Sequence, residues 1–188
     1  MAWNTEETRA RLLAAGATQF AAKGYAGARI QGIANEAGIS AERVYQYFGN
    51  KHGLYEAVLA DRLSRLLDDI AIDGEGPEAL GAYAGALFDR FRESPETARL
   101  LAWESLEMDE AASADRRRKM CADKKRGIRR AMPWACDRVA GEVLFSVTSL
   151  VLAEWNLVRL SDVMRDAATR RHAVIAHATA IARSTQRD

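Results

Sequence analysis

The sequence has little cysteine and no long apolar run, and each shortage argues against a class of protein. Only Cys121 and Cys136 occur among 188 residues, with no CxxC pair and no histidine at zinc-finger spacing. A disulfide scaffold or a structural zinc site is therefore not expected, and the thiols are interpreted as reduced. No run of about 18 apolar residues occurs, and charges stand near the N-terminus where a signal peptide needs apolar residues. We therefore expect a cytoplasmic protein.

Catalytic and metal-binding patterns are lacking as well. The spacing suggests no Ser/His/acid or Cys/His set and no glycine loop for phosphate, and Glu104 and Glu107 share a helical stretch without an evident partner. His172 and His177 are five residues apart, not the four that place two metal ligands on one helical face. We expect no enzyme, no metal site and no cofactor.

Charge neither requires nor excludes a nucleic-acid partner. The formal net charge is +1, and residues 1–55 carry six Lys/Arg against four acids. A net charge near zero argues against wholesale nonspecific coating of nucleic acid, but it does not describe local patches.

Apolar residues recur at spacings of three and four along the chain, and no segment alternates as a strand does. This pattern predicts an all-α fold of about nine helices. The chain is predicted to divide after residue 52 into an N-terminal domain of three helices, residues 1–52, and a second helical domain, residues 53–188. The first helix is expected at about 5–23 and the fourth from 51 to a break at 73–77, followed by helices at about 77–93, 95–108, 110–131, 137–160 and 165–184.

Residues 30–49 predict a helix-turn-helix. Ile30, Ile33 and Ala34 share one face of a short helix that stops at Gly38, and Ser40 caps the next helix, which ends by Gly49. Two short helices joined by a glycine-containing turn of about four residues form this motif. A plain helical hairpin in a bundle is the alternative.

The third helix has one apolar and one polar face on a 100° wheel. Ala41, Val44 and Phe48 point toward the first two helices. Polar side chains occupy the rest: Gln46 opposite the packing face, Glu42 and Arg43 beside it, Tyr45 and Tyr47 on the flanks, and Lys51 just beyond. Amide and guanidinium groups suit base edges, and hydroxyls and cations suit phosphates. The alternative to a DNA-binding face is that the two tyrosines are half-buried core residues and that the charged residues form a solvated face.

A set of residues with fixed order and spacing runs along residues 8–58: Leu12-Leu13-Ala14-Ala15, Phe20, Gly24-Tyr25, Ile33-Ala34, Ala37-Gly38-Ile39-Ser40, Val44-Tyr45, Tyr47-Phe48, Lys51 and Leu54. In these residues the segment resembles the DNA-binding domain of the TetR family of bacterial transcriptional repressors. The resemblance covers about the first third of the chain, and beyond it only the helical plan is similar. It implies that residues 1–52 bind DNA and that residues 53–188 bind an effector and form the dimer.

The resemblance implies a role for each matching position. Tyr45, Tyr47 and Lys51 match positions that usually touch phosphates, and Arg43 and Gln46 occupy the stretch that reads bases. Two departures are noted, at Ala28-Arg29 and at Glu42. Ala28-Arg29 replaces the usual hydroxyl residues that open the second helix, so a cap is missing and Arg29 is left to contact phosphate. Glu42 replaces a small residue and would repel phosphate unless it accepts a hydrogen bond from cytosine.

The family resemblance also implies a homodimer built by the last two long helices. Residues 141–160 are apolar nearly all round, so the helix must be covered on every side. Burial inside one subunit is the alternative to a dimer interface. The predicted interface comprises Val143, Val147, Leu150, Val151, Trp155, Val158, His172 and Ile175.

An effector pocket is expected among the middle helices, where aromatic and polar side chains occur together, although aromatic residues at helical spacing are more often core. The candidates are Phe88, Trp103, Glu104, Phe145, Ser149 and Asn156. Residues 115–130 contain nine basic residues in sixteen. A solvated face, a site for an acidic effector or partner, and a second nucleic-acid contact are the alternatives for this basic segment.

Together these features predict a sequence-specific DNA-binding regulator. The leading interpretation is a dimeric repressor of a palindromic operator that an unknown small-molecule effector releases. The alternative is a constitutive DNA-binding protein of the same fold that recruits a protein partner and has no effector.

Overall fold

The computed structural model describes residues 5–164 and 170–185. Within these ranges the chain forms ten helices and no strand, which confirms the predicted all-α class. The helices are α1 (Thr5–Gly27), α2 (Ile30–Ala37), α3 (Ala41–Phe48), α4 (Lys51–Leu67), α5 (Pro77–Glu93), α6 (Pro95–Glu107), α7 (Ala114–Ala131), α8 (Asp137–Asn156), α9 (Val158–Met164) and α10 (Arg170–Ser184).

Four helix boundaries differ from the prediction. Helix α1 ends at Gly27 and not at Lys23, although Gly24 within it is not helical. Helix α4 ends at Leu67 and not near Asp73, although Ile70 and Ile72 beyond it are still buried. The helix predicted at 137–160 breaks at Leu157, and α8 and α9 meet there at a bend of 86°. Helix α7 begins at Ala114, later than expected. The predicted start of the last helix, at 165, lies outside the described residues.

The contacts divide the chain into two compact units. The first contains residues 1–65 and 96–114, and the second contains residues 66–95 and 115–188. Helix α6 therefore belongs with α1 to α3, although the boundary predicted after residue 52 placed it with the C-terminal helices. Helix α4 begins in the first unit, and its last two residues belong to the second.

The first unit is built around fully buried apolar side chains from α1, α2 and α4. The Phe20 ring packs edge-on against Tyr55, with the ring centroids 5.0 Å apart. The Tyr55 hydroxyl donates a hydrogen bond of 2.8 Å to the carbonyl of Leu100 in α6. This bond satisfies the one polar atom that a buried tyrosine brings into a core.

The second unit is a bundle in which α5 packs against α10 and α8. Gly81 and Gly85 of α5 lie against α10, where an added Cβ would collide with Thr179 or press on Ile175. Across the same pair of helices, the Arg171 guanidinium binds both carboxylate oxygens of Asp89 at 2.9 and 3.0 Å from its Nε. Small residues and a bidentate ion pair together bring α5 and α10 close.

Among the described helices, no single one is long and apolar enough to cross a membrane. The bent pair α8 and α9 reaches the required length and composition only when counted together.

Candidate nucleic-acid interface

The turn between α2 and α3 adopts the predicted geometry. Gly38 has φ 64° and ψ 37°, and its N–H reaches the carbonyls of Ala34 and Asn35. This left-handed conformation costs glycine little, and it satisfies carbonyls that the end of α2 leaves open. The Ser40 hydroxyl then accepts a hydrogen bond of 3.4 Å from the Arg43 N–H and caps α3. The predicted cap and turn are both confirmed.

Helix α3 is held by one face and exposes the opposite one. Val44 is buried, whereas Ala41 and Phe48 of the predicted packing face are only half-buried. The Arg9 guanidinium lies 5.9 Å from the centroid of the Phe48 ring. A cation at this distance from an aromatic ring is attracted to the face of the ring.

The polar residues predicted to meet DNA lie at the surface of the first unit. Glu42, Tyr45 and Gln46 are exposed, and Tyr45 is 51% exposed. Arg43 and Tyr47 are half-buried, and the Tyr47 hydroxyl lies 3.5 Å from the carbonyl of Thr5. The exposed Tyr45 ring lies on the same helix as the exposed Glu42 carboxylate and Gln46 amide, and all three side chains are accessible to a ligand.

Arg29 occupies the N-cap position of α2 and is exposed. Its side chain makes no capping hydrogen bond, as predicted from the missing hydroxyl. The first turn of α2 therefore lacks a contribution that Ser or Thr typically supplies, about 1 kcal/mol.

Lys51 opens α4 and lies against the end of α1. Its ammonium group donates a hydrogen bond of 3.2 Å to the carbonyl of Ala26 and lies 4.8 Å from the centroid of the Tyr25 ring. Burial lowers the pKa of this ammonium, and the charge of Glu107 partly offsets that effect. Lys51 therefore has internal partners at a position that the family resemblance assigns to phosphate.

Helix α6 contributes two side chains that sequence reasoning did not associate with this interface. Glu107 accepts a hydrogen bond of 3.0 Å from the Ala26 N–H, and the Trp103 indole donates one of 3.3 Å to the carbonyl of Ala21. The partners are separated by 81 and 82 residues. No local pattern predicts a pairing at such a separation.

The effector candidates fall into both units. Trp103 and Glu104 belong to the first unit, where Glu104 is buried and accepts a hydrogen bond of 2.7 Å from the Ala112 N–H. Their polar atoms bind backbone groups of that unit, and their role in effector binding stays a prediction. Among the candidates of the second unit, Phe88 is buried with its ring 5.1 Å from Trp155. The other three lie exposed on α8: Phe145, Ser149 and Asn156.

The predicted dimer interface divides into buried and accessible residues. Val143, Val147 and Val151 are at most 1% exposed within a single chain, so they pack in its own core and have no surface left for a partner. For these three residues the alternative of burial inside one subunit replaces the predicted interface role. Trp155 is half-buried, with its ring 5.6 Å from Phe91.

Four predicted interface residues remain accessible. His172 and Val158 are exposed, and Leu150 and Ile175 are half-buried. Other apolar side chains, which were not predicted to lie at the dimer interface, are also exposed on α8, on α9 and at the bend between them. They are Phe145, Leu157, Leu160, Val163 and Met164, which with Val158 are called here the exposed apolar set.

The basic segment forms most of α7, and several of its charges have partners. Arg118 pairs with Asp115, Arg126 with Asp123, and Lys125 with Asp137. The Lys124 ammonium donates to the carbonyls of Leu67 and Ile70 just past the end of α4. An open cleft of about 400 Å³ is lined by Arg126, Arg129, Arg130 and Pro133. These pairings favour a solvated face for much of the segment.

The two cysteines are free and exposed. Hydrogen bonds from the backbone N–H groups of Val139 and Arg138 at the start of α8 lower the pKa of the Cys136 thiol. In the part of the chain that the structure describes, no three His, Cys, Asp or Glu residues are arranged to hold a metal ion.

Comparison with known proteins places both halves of the chain in one family. Residues 12–58 match the family model of bacterial regulatory proteins of the tetR family, and residues 79–183 match the tetracyclin repressor-like C-terminal domain. The HTH-type transcriptional repressor SCO4008 of Streptomyces coelicolor is 37% identical over 102 residues. That alignment covers 54% of this chain and 52% of the relative, so the chain spans about half the length of this curated protein.

Solved structures share the fold over nearly the whole chain. SCO4942 of Streptomyces coelicolor, assigned as a transcriptional regulator, is 30% identical with a TM-score of 0.74, covering 91% of this chain and 96% of its own. A TetR protein of Acinetobacter baumannii, solved with minocycline, has a TM-score of 0.66 at 15% identity and 94% coverage of both chains; this second likeness concerns the fold alone. With a C-terminal family model that matches more than half of its residues, the chain belongs to the TetR family of bacterial regulatory proteins.

Proposed function

We propose that this protein is a transcriptional repressor that binds a palindromic operator as a homodimer and is released by a small-molecule effector. The observation that carries the proposal is the exposed polar face of α3, with Gln46 and Glu42 accessible on a helix anchored by Val44. A helix of this kind enters the major groove, and two copies about one DNA turn apart read the two half-sites. The repressor name of the relative SCO4008 supports this reading.

The proposal assigns different DNA contacts to different residues of the interface. Gln46 and Arg43 read base edges, and Glu42 accepts a hydrogen bond from a cytosine amine. Tyr45, Tyr47, Arg29 and Lys51 contact phosphates, which position the protein without specifying sequence. DNA binding is assigned to residues 1–52 and effector binding and dimerisation to residues 53–188, and α6 supports the DNA-binding residues from within the first compact unit. DNA as the partner implies a cytoplasmic location.

Release by an effector follows as a shift between two populations. An effector that favours a different spacing of the two α3 helices lowers operator affinity, because both helices no longer fit successive major grooves. Helix α4 runs from the first unit into the second, at one of three places where the chain passes between the units, and we assign that change to it. The minocycline complex of the Acinetobacter TetR supports an organic effector of this general kind.

The experiment is selection of bound sequences from random duplex DNA by the full chain, followed by measurement of the number of chains bound per site. The proposal predicts an enriched palindrome whose half-sites are centred about 10 base pairs, or a multiple of that, apart, with an even number of chains on each site. Absence of any enriched sequence contradicts the proposal. A wild-type protein that binds its site but is not released by any compound in a broad screen favours the constitutive DNA-binding protein that recruits a partner.

A further inference from the structure

Charged residues of two other helices bind both backbone polar groups of Ala26, its N–H and its carbonyl. Glu107, the last residue of α6, accepts its N–H at 3.0 Å, and Lys51, the first residue of α4, donates to its carbonyl at 3.2 Å. Ala26 lies in the short end of α1 that follows the break at Gly24 and precedes Arg29 and α2. The placement of this segment therefore depends on an acid and a base that are 56 residues apart in sequence.

The chain around Ala26 is shaped to admit Glu107. Gly24 breaks α1 with φ 73° and ψ 176°, a conformation that is almost restricted to glycine. An added Cβ at Gly24 would lie 2.8 Å from the Glu107 Oε1 and 3.0 Å from the Trp103 Cε3. The Trp103 indole meanwhile binds the Ala21 carbonyl. The break in α1 thus both frees backbone groups and leaves the space in which α6 reaches them.

The Glu107 carboxylate and the Lys51 ammonium bind the N–H and the carbonyl of the same residue, Ala26. Glu107 raises the pKa of the Lys51 ammonium against the lowering that burial causes, so the two charges attract one another inside the unit. The ammonium also lies over the Tyr25 ring, which favours a cation at this place. A DNA phosphate that approaches Lys51 has to compete with these internal partners.

We propose that Glu107 is a positioning residue of the DNA interface: it binds the Ala26 N–H, and its negative charge draws the Lys51 ammonium onto the Ala26 carbonyl and away from phosphate. This inference rests on the proposed DNA-binding function and concerns how strongly the same surface binds. Glu107 weakens binding to every duplex alike, because phosphate contacts carry no sequence information.

Glu107→Gln separates the two roles, because its amide oxygen still accepts the Ala26 N–H while the charge is lost. We expect this variant to bind both the selected operator and an unrelated duplex roughly three to ten times more tightly at moderate salt. Its plot of log affinity against log salt should become steeper, by up to about 0.9, the value for one added phosphate contact. Glu107→Asp keeps the charge on a shorter side chain and should not tighten binding.

Two controls test whether the effect passes through Lys51. Glu110→Gln removes the same charge from an exposed residue of the loop after α6 and should change affinity less than twofold. In a Lys51→Ala background, Glu107→Gln should no longer tighten binding. This double-mutant cycle measures the coupling between the two residues, and the gain in affinity disappears only if it depends on Lys51. Circular dichroism and urea unfolding confirm that each variant is folded.

The outcomes separate this inference from the proposed function. A wild-type protein that binds no duplex contradicts both. With wild-type binding intact, the inference is overturned if Glu107→Gln leaves affinity unchanged or weaker, if Glu110→Gln matches it, or if the gain persists without Lys51. Should Glu107→Gln fail to fold, NMR of the ¹³C-methylated lysines in the wild-type protein decides: the Lys51 signal must shift when operator is added, and an unmoved signal contradicts the inference.

Discussion

Gly24 is required both for its own conformation and for the side chains next to it. Its φ of 73° with ψ of 176° is unfavourable for any residue with a Cβ, and Glu107 and Trp103 occupy the space beside it. The sequence predicted this glycine as the end of the first helix but could not show that α6 approaches it, because that contact links residues about 80 positions apart.

We expect Gly24→Ala to lower the free energy of unfolding by about 2 kcal/mol, from backbone strain and from the displaced Glu107 carboxylate. Urea unfolding followed by circular dichroism measures the change. Gly32→Ala is the matched control, because Gly32 lies inside α2, and an added Cβ there meets only the Gln19 Oε1 at an ordinary 3.7 Å. Alanine at Gly32 should stabilise the protein by roughly 0.5 kcal/mol. Equal effects at the two positions would contradict this account.

The two short helices of the interface, α2 and α3, could be predicted because their turn, cap and buried face each depend on residues close together in the sequence. Gly38, Ser40 and Val44 predicted the turn, the cap and the buried face, and the structure contains all three. The role of the C-terminal helix faces could not be predicted in the same way. Val143, Val147 and Val151 form an apolar stripe whether a neighbouring helix or a second chain covers it, and only the packing of α5, α8 and α10 shows which applies.

Because Arg29 stands at the N-cap of α2, replacing it with serine should raise the stability of the protein and lower its affinity for DNA. Arg29→Ser supplies a hydroxyl at the N-cap and should stabilise the protein by about 0.5–1 kcal/mol in urea unfolding. The same change removes a predicted phosphate contact, so operator affinity should fall and its salt dependence should become shallower by about 0.9. A fall in stability, or unchanged salt dependence, would disagree with these two roles.

The ion pair between α5 and α10 should make stability depend on acid pH. The hydrogen bond from Arg171, together with the charges of Arg171 and Arg92, lowers the pKa of Asp89. A carboxyl whose folded pKa lies below its unfolded value, about 3.9, stabilises the fold above that pH and loses this contribution as pH falls through the folded pKa.

Asp89→Asn should therefore lower the free energy of unfolding by roughly 1 kcal/mol at neutral pH, and the difference from wild type should shrink below about pH 4. Urea unfolding at a series of pH values tests this. Asp115→Asn provides the comparison, because Asp115 is 98% exposed in its pair with Arg118 and should have little effect. A difference at Asp89 that does not depend on pH would contradict the assignment.

For the assembly of whole molecules, we propose that residues of the exposed apolar set contact a second chain. Phe145 is 71% and Val163 84% exposed, and clusters of large apolar side chains at a surface commonly mark an interface. The interface predicted from sequence includes Val143, Val147 and Val151, which are buried within one chain, because periodicity alone does not distinguish the two apolar sides of α8. The position of the interface stays a prediction.

We expect Phe145→Glu combined with Val163→Glu to shift a dimer to monomer in analytical ultracentrifugation while helix content stays the same. Leu106→Glu is the control, because Leu106 is 76% exposed but lies in the first unit; its variant should remain dimeric. The interface would lie elsewhere on the chain if the Leu106→Glu variant were monomeric. A double variant that stays dimeric would lead to the same conclusion.

We propose above all that Gln46 of α3 contacts base edges and that Tyr47 contacts a DNA phosphate. The most direct measurement is a titration of the selected operator, and of each single-base variant of its half-site, with wild type, Gln46→Ala and Tyr47→Ala. We predict that Gln46→Ala loses discrimination at one base pair, by about 1–3 kcal/mol, and that Tyr47→Ala weakens all sites by a similar factor. Unchanged discrimination at every base pair in Gln46→Ala would contradict the account.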